Sequence, residues 1–362
     1  MKLHLIFIGN KFIYNHSLKE YIIRQVEQRC NFISSVTYFK EGDNSLFLYL
    51  EEELNNQNQL IIITTKQNFS TVGKLISTVT SDNQVVKDNL LIPSKAKIFQ
   101  EANYLLKYQN SILNVLSIDE MQKMPEILLN FEDSKVIIHM FEKTKEDIKA
   151  KLEQTAQTYD INFDMVEIIE GWIEIGLSSK KYGNISKFID SAKNIFPKNL
   201  IAEVNIVKYI TDLLDHKNKK ITFAESCTGG LLSYYFTSQN GVSKIFEGSL
   251  ITYSNILKEN WLAVDHKILE DVGAVSQEVV AEMSEGALNV SSADYAISIS
   301  GIAGDTGGTD EKPVGTVYIG VRSKDRHIEK LLNLHGDRNY IQHQSVLFAI
   351  KMLLQIDKET FF

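Results

Sequence analysis

The sequence predicts an α/β protein built from three domains: a doubly wound α/β domain at the amino terminus, a small α+β domain in the middle, and a second α/β domain at the carboxy terminus. Three observations lead there. At 362 residues the chain is longer than one hydrophobic core usually serves. Short apolar runs alternate with segments of helical periodicity over residues 1–130 and again over 199–362. Between them, residues 131–198 read as strand, helix, strand, strand, helix, which matches part of a split βαβ module.

In the first domain, Leu3 to Ile8 reads as a buried strand closed by a turn at Gly9. Ser17 to Cys30 has helical spacing through Leu18, Ile22 and Val26. Leu60 to Thr65 is a second apolar strand, and Val72 to Val79 a second helix, so the sheet is expected to be parallel and covered on both faces. In the middle domain Lys135 to Met140 reads as a strand and Lys145 to Thr158 as a polar-faced helix. Phe163 to Ile169 and Trp172 to Leu177 form a hairpin around Glu170-Gly171, and Ile185 to Ile195 a second helix. The third domain opens with a helix expected over Ile201 to Leu214, then a strand at Ile221 to Phe223 and a helix start at Leu231 to Phe236. Ser249 to Tyr253 (strand), Asn255 to Leu262 (helix) and a helix over Gln277 to Val290 capped by Ser276 follow. Tyr295 to Ser300 and Thr316 to Val321 are strands flanking a glycine-rich loop. Ile328 to Leu334 is another strand, and Arg338 to Leu354 the last helix.

Composition narrows the function classes. Hydrophobic residues make up 44% and charged residues 23%, as in ordinary globular proteins. A net charge of -8 with no basic domain argues against a general nucleic-acid binder. Two cysteines, Cys30 and Cys227, make neither a disulfide framework nor a metal knuckle. The longest apolar runs, such as Leu60 to Ile63, are far too short to span a bilayer, and Leu3 to Ile8 lacks the length and cleavage pattern of a signal peptide. A cytoplasmic protein with no membrane partner is expected.

The residues able to carry chemistry cluster in the third domain. Ala224-Glu225-Ser226-Cys227-Thr228-Gly229-Gly230 places two hydroxyls, a thiol and two glycines where a strand becomes a helix. Backbone N–H groups there lack intrahelical partners and favour a phosphate or an oxyanion. Ser226 is either a nucleophile, which then needs a base, or a helix-capping serine. Cys227 is a competing nucleophile or a small buried apolar residue. Thr228 either caps the helix or contacts substrate, and Gly229 and Gly230 permit close backbone approach. Tyr253 can orient a nearby hydroxyl. Lys258 is a base if desolvation lowers its pKa, or else an exposed lysine on a first helical turn. Ser298 to Gly308 is a loop with four glycines that matches neither a Walker A loop nor a dinucleotide fingerprint. Its Asp305, together with Asp310 and Glu311, reads as a solvated acidic loop in preference to a metal site. At the start of the last helix Arg338 suits bidentate phosphate binding, Asp337 a cap, and His335 a surface position.

The ordered set closely resembles the CinA C-terminal domain family. It comprises Ala224 to Gly230, Thr252-Tyr253-Ser254-Asn255 with Lys258, Gly273-Ala274-Val275-Ser276, Ser298 to Gly304, Lys312-Pro313-Val314-Gly315-Thr316-Val317, and Gly336-Asp337-Arg338. The resemblance covers about residues 200 to 356. It implies a nicotinamide mononucleotide (NMN) amidohydrolase that releases ammonia and nicotinic acid mononucleotide. It gives Ser226 as nucleophile and Tyr253 and Lys258 as the polar pair assisting proton transfer. The N–H groups around Cys227, Thr228, Gly229 and Gly230 would hold the oxyanion. Ser300, Gly301, Ala303, Gly304 and Arg338 would position the nucleotide. It implies a homodimer and no metal or cofactor.

The rest of the chain resembles a full-length arrangement of that family: a molybdopterin-binding-like domain over 1–130, a linker domain over 131–198, and the amidohydrolase domain over 199–362. The first of these departs from its pattern. Where Gly-Asp-Glu follows the first strand in the family, Gly9 is followed by Asn10 and Lys11. Lys66 to Gly73 replaces a Gly-Gly-Leu-Gly-Pro-Thr loop, and Leu116 to Glu120 replaces a Pro-Gly-Pro-Pro-type loop. Cleavage of ADP-ribose by this domain is not expected. The rival to an enzyme is a non-catalytic partner or scaffold in competence.

Overall fold

The computed structural model describes residues 2–30, 32–131, 136–179, 182–304 and 306–362. They divide into two compact units, Met1–Lys135 and Val136–Phe362. Lys135, from which a strand is expected, and Asp305 lie outside the described residues.

The first unit runs β1 (Leu3–Ile8), α1 (Asn10–Tyr14), α2 (His16–Glu27), β2 (Ser35–Phe39), α3 (Ser45–Asn55), β3 (Gln59–Thr64), α4 (Phe69–Val79), β4 (Gln84–Lys87), β5 (Leu90–Pro93), β6 (Ile98–Gln100), β7 (Asn103–Tyr108) and β8 (Ser111–Ser117). Its main sheet has the order β2-β1-β3-β8-β7-β6. Successive side chains of a strand face opposite ways. Ile6 and Ile8 of β1 therefore pack with Leu46, Leu50 and Leu54 of α3 and Phe69, Val72 and Ile76 of α4. Leu3, Leu5 and Phe7 pack with Phe12 of α1 and Leu18, Ile22 and Val26 of α2. A strand covered on both faces has little side to leave polar, which is why β1, apart from His4, and the Leu60–Ile63 run of β3 read as apolar. The doubly wound layout holds for the four parallel strands. The expectation of a wholly parallel sheet needs correction, because β7 and β6 extend it antiparallel. β7 and β8 are separated only by Gln109 and Asn110, too few residues for a crossover.

The second unit begins with β9 (Val136–Phe141), α5 (Lys145–Thr158), β10 (Ile161–Ile169), β11 (Trp172–Ser179), α6 (Ile185–Ile195) and β12 (Leu200–Ile201). These strands form an antiparallel sheet of order β10-β11-β9-β12. Ile148 and Leu152 of α5 and Phe188 of α6 pack with Ile138, Ile173 and Ile175 of the sheet. The helix expected from Ile201 starts later. Leu200 and Ile201 pair with Met140 and His139, and the Asn205 side chain accepts the Val207 and Lys208 N–H groups, starting α7 (Ile206–His216).

The remainder runs β13 (Ile221–Glu225), α8 (Leu231–Thr237), β14 (Phe246–Ile251), α9 (Asn255–Leu262), α10 (His266–Asp271), α11 (Gln277–Ser291), β15 (Tyr295–Gly301), β16 (Thr316–Ser323), β17 (His327–Asn333), α12 (Arg338–Ile356) and α13 (Lys358–Phe361). The sheet order is β14-β13-β15-β16-β17, with β13 parallel to both its neighbours. Phe223, Ile297 and Ile299 share a core with α7, α8 and α12, while Ala224 and Ala296 pack with Leu262 of α9 and Val279 and Met283 of α11. The chain leaves β13 for β14 on one side and later reaches β15 on the other. In open α/β sheets such a reversal opens a crevice at the carboxyl ends of the strands.

Candidate functional site

Ser226 is the residue that follows β13 at the carboxyl end of the sheet, and it is buried. Its N–H donates to the Ile299 carbonyl of β15 at 2.9 Å, and the Glu225 carbonyl before it accepts the Thr252 N–H at 2.9 Å. The backbone at Glu225 and Ser226 is thus tied to the chain on both sides of β13.

Next to Ser226 stands Glu225, to which the sequence alone assigns no role. Its buried carboxylate accepts from Thr228 Oγ1 (2.9 Å), the N–H groups of Gly230 (3.0 Å), Leu232 (3.1 Å) and Ser233 (3.0 Å), and Ser249 Oγ (3.2 Å), with Ser233 Oγ as a sixth donor. The unpaired N–H groups at the start of α8 are what draw a negative charge there. The only signal in the sequence was an acid placed between an apolar strand and a helix start. This corrects the expected anion hole. The Gly230 N–H is taken by Glu225, and the Gly229 N–H donates to the Ser226 carbonyl at 3.1 Å. Among the described residues the N–H groups of Cys227 and Thr228 donate to no backbone carbonyl.

Lys258 lies on the first turn of α9, which Ser254 caps by accepting the Leu257 N–H. It is only 1% exposed. Its Nζ donates to the Thr252 carbonyl at 2.7 Å, meets Ser226 Oγ at 3.1 Å and reaches the Tyr253 carbonyl at 3.5 Å. Burial brings its pKa down from 10.5 to about 8, with Cys227 pulling weakly the other way. Carbonyls solvate the ammonium less well than a carboxylate would, so the neutral amine is accessible near neutral pH. A neutral amine in contact with a hydroxyl can take its proton. The competing nucleophile fares worse. Burial pushes the Cys227 thiol up to about 12, despite its own N–H and the Lys258 and Arg338 cations acting the other way.

Tyr253 stands apart from this pair. It is 60% exposed, and its hydroxyl accepts from Arg338 Nη2 at 2.8 Å. Only its backbone carbonyl approaches Lys258. Arg338 is the first residue of α12, where Asp337 caps the helix by accepting the Tyr340 N–H at 2.8 Å. The Gly301–Gly304 loop runs against the guanidinium: a Cβ at Gly304 would stand 2.7 Å from Arg338 Nη1. Ser300 is buried and donates to the Ala274 carbonyl at 2.7 Å, which commits its proton to the 273–276 turn. Ala303 is packed in the core with Cys227 and Ile299. The structure therefore joins Ser226 to Lys258 and Tyr253 to Arg338, and buries Ser300 and Ala303 beneath them. His335 is exposed.

Comparison with known proteins identifies relatives of the same stretch of chain. Residues 203–356 match the model of the CinA C-terminal domain. A CinA-like protein of Fervidobacterium nodosum is 44% identical over 144 residues, 40% of this chain and 35% of that protein. One from Kosmotoga olearia is 32% identical over 255 residues, 68% of this chain and 57% of its own length. The chain thus spans roughly a third to just over half of these curated relatives. The crystal structure of the competence/damage inducible protein CihA from Agrobacterium tumefaciens shares 32% identity over 41% of this chain and 92% of that one, with a TM-score of 0.41. No helix among the described residues is long and apolar enough to cross a membrane. Through its carboxy-terminal residues, the chain belongs to the CinA family.

Proposed function

We propose that residues 199–362 hydrolyse the carboxamide of NMN to nicotinic acid mononucleotide and ammonia through a serine acyl-enzyme. The carrying observation is the buried contact of Lys258 Nζ with Ser226 Oγ at 3.1 Å. Ser226 Oγ attacks the amide carbon while neutral Lys258 takes its proton. The amide oxygen becomes an oxyanion, and the Thr228 N–H, which donates to no acceptor among the described residues, is its donor. Lys258 then gives the proton to the departing nitrogen, and ammonia leaves. A water gives a proton to Lys258 and attacks the acyl carbon; the C–Oγ bond then breaks and Lys258 returns that proton to Ser226 Oγ, restoring the hydroxyl and the neutral amine. Arg338 receives the phosphate of the nucleotide, and Tyr253, hydrogen-bonded to it, shapes that end of the crevice.

The first unit has no part in this reaction. At the carboxyl ends of its strands the acids Asp119 and Glu120 are held by Lys11 at 2.8 and 2.7 Å. That internal cation supports the reading that residues 1–130 no longer cleave ADP-ribose. Purified Ser226→Ala protein is the test of the main reading. It should release no ammonia from NMN above background, and undiminished turnover would end the assignment.

A further inference from the structure

One polar side chain bonded to the Ser226–Gly230 segment has no role in the proposed mechanism. Gln342 lies one helical turn after Arg338 on the same face of α12. Its Nε2 donates to the Cys227 carbonyl at 2.6 Å. In a trans peptide the carbonyl and the following N–H point in opposite directions. Holding the Cys227 carbonyl therefore fixes the direction of the Thr228 N–H. That N–H donates to no acceptor among the described residues. Thr228 is anchored at its other end too, since its Oγ1 donates to Glu225 at 2.9 Å. The preceding peptide shows the same pattern. The Ser226 carbonyl accepts the Gly229 N–H at 3.1 Å, which turns the Cys227 N–H away from that partner. Two successive carbonyls are thus tied down, and the Thr228 N–H is left without an acceptor among the described residues. Buried N–H groups are rarely left unpaired, and one held rigid next to Ser226 in the chain is a donor for a negative oxygen.

We propose that Gln342 is a positioning residue for the oxyanion: it locks the Cys227–Thr228 peptide so that the Thr228 N–H is the donor to the tetrahedral intermediate. This rests on the amidohydrolase reading of residues 199–362. One helix then supplies both the phosphate anchor, Arg338, and the constraint on the oxyanion donor. The distance between the two ends of the substrate is set within a single rigid element.

The test uses the full chain and NMN as substrate, with kcat and KM followed across pH on both sides of the Lys258 midpoint. Gln342→Met keeps the side-chain length and removes the donor; Gln342→Lys restores a donor. Gln342 is half-buried, so neither change opens a core cavity. Losing an oxyanion donor outright costs about 100- to 1000-fold in kcat, and loosening one should cost about 10- to 100-fold, with KM within about twofold. Gln342→Met should show that loss with the pH midpoint still near 8, and Gln342→Lys should recover most of it. Wild-type kcat in Gln342→Met would overturn the proposal. So would a shifted midpoint, which would place the damage on Ser226 and Lys258, or a Lys variant no better than Met. Wild-type protein that released no ammonia would sink the amidohydrolase reading and this proposal together. The other three outcomes sink only the assignment of Gln342.

Discussion

The pH dependence of turnover follows directly from the burial of Lys258. Its pKa is brought down from 10.5 to about 8 because the ammonium is desolvated, with two carbonyls and the Ser226 hydroxyl as its partners. The sign is fixed by the role: the base is the neutral amine, so activity rises with pH. For one titrating group with a pKa near 8, the neutral fraction is about 9% at pH 7, about 50% at pH 8 and about 91% at pH 9. The kcat/KM for ammonia release from NMN should therefore rise about tenfold from pH 7 to pH 9 and level off above it. A lysine at its ordinary value would give a rise of about a hundredfold over the same interval, with no plateau. The phosphate of the substrate loses its second proton near pH 6, so it contributes little to the profile above 7. Initial rates at constant ionic strength decide the matter. A profile flat from 7 to 9, or one still climbing with unit slope at pH 10, would refute Lys258 as the base.

Three further outcomes concern stability. Lys258→Met should abolish turnover while melting no lower than the wild type at pH 7. The folded-state pKa lies below the unfolded one, so the wild type carries a penalty of up to about 3 kcal/mol below pH 8, fading as pH rises toward 10.5. The lost hydrogen bond to the Thr252 carbonyl offsets only about 1 kcal/mol of that gain, and a melting point well below wild type at pH 7 would contradict this. Gly286→Ala should destabilise the protein by about 1–3 kcal/mol, because its Cβ would stand 2.0 Å from the Leu262 carbonyl oxygen at the end of α9; an unchanged thermal midpoint would show that α9 and α11 can separate freely. Glu225→Gln should cost about 2–3 kcal/mol, since an amide nitrogen at either oxygen position faces a backbone N–H, and a urea midpoint equal to wild type would exclude that conflict.

Local chemistry made much of the fold legible. α5 and α9 begin and end where expected because Thr144 and Ser254 are true caps, each accepting an N–H three residues on. Ser276 likewise starts α11. α7 was misplaced because the apolar Ile201 and Val204 continue a helical period that Asn205 interrupts. α3 was not singled out: its core stripe of Leu46, Leu50 and Leu54 is partly masked by the acidic run Glu51 to Glu53. For the site, residue types could be named but not their neighbours. Whether Lys258 is exposed or buried depends on β14 lying parallel beside β13, a pairing of Glu225 with Ile251 that no local pattern encodes. The same pairing brings Ser249 to Glu225. Tyr253 and Arg338 meet across 85 positions of chain, so their partnership was equally invisible.

Glu225 and Lys258 show how two opposite charges can share one crevice without cancelling. A carboxylate bonded directly to Lys258 would favour the ammonium form and remove the base from the neutral pH range. Glu225 stands one residue from Ser226, close enough to make that a hazard. It is prevented by giving the carboxylate six other donors, three of them backbone N–H groups of the α8 start and its turn. Those donors are fixed by the helix itself, so the carboxylate has no reason to turn toward the amine. Lys258 is left with carbonyl oxygens and one hydroxyl. The helix terminus that would otherwise have attracted a substrate anion is the structural means by which the base is kept weakly solvated. In the proposed mechanism the anion-binding task accordingly falls to the Thr228 N–H and to Arg338.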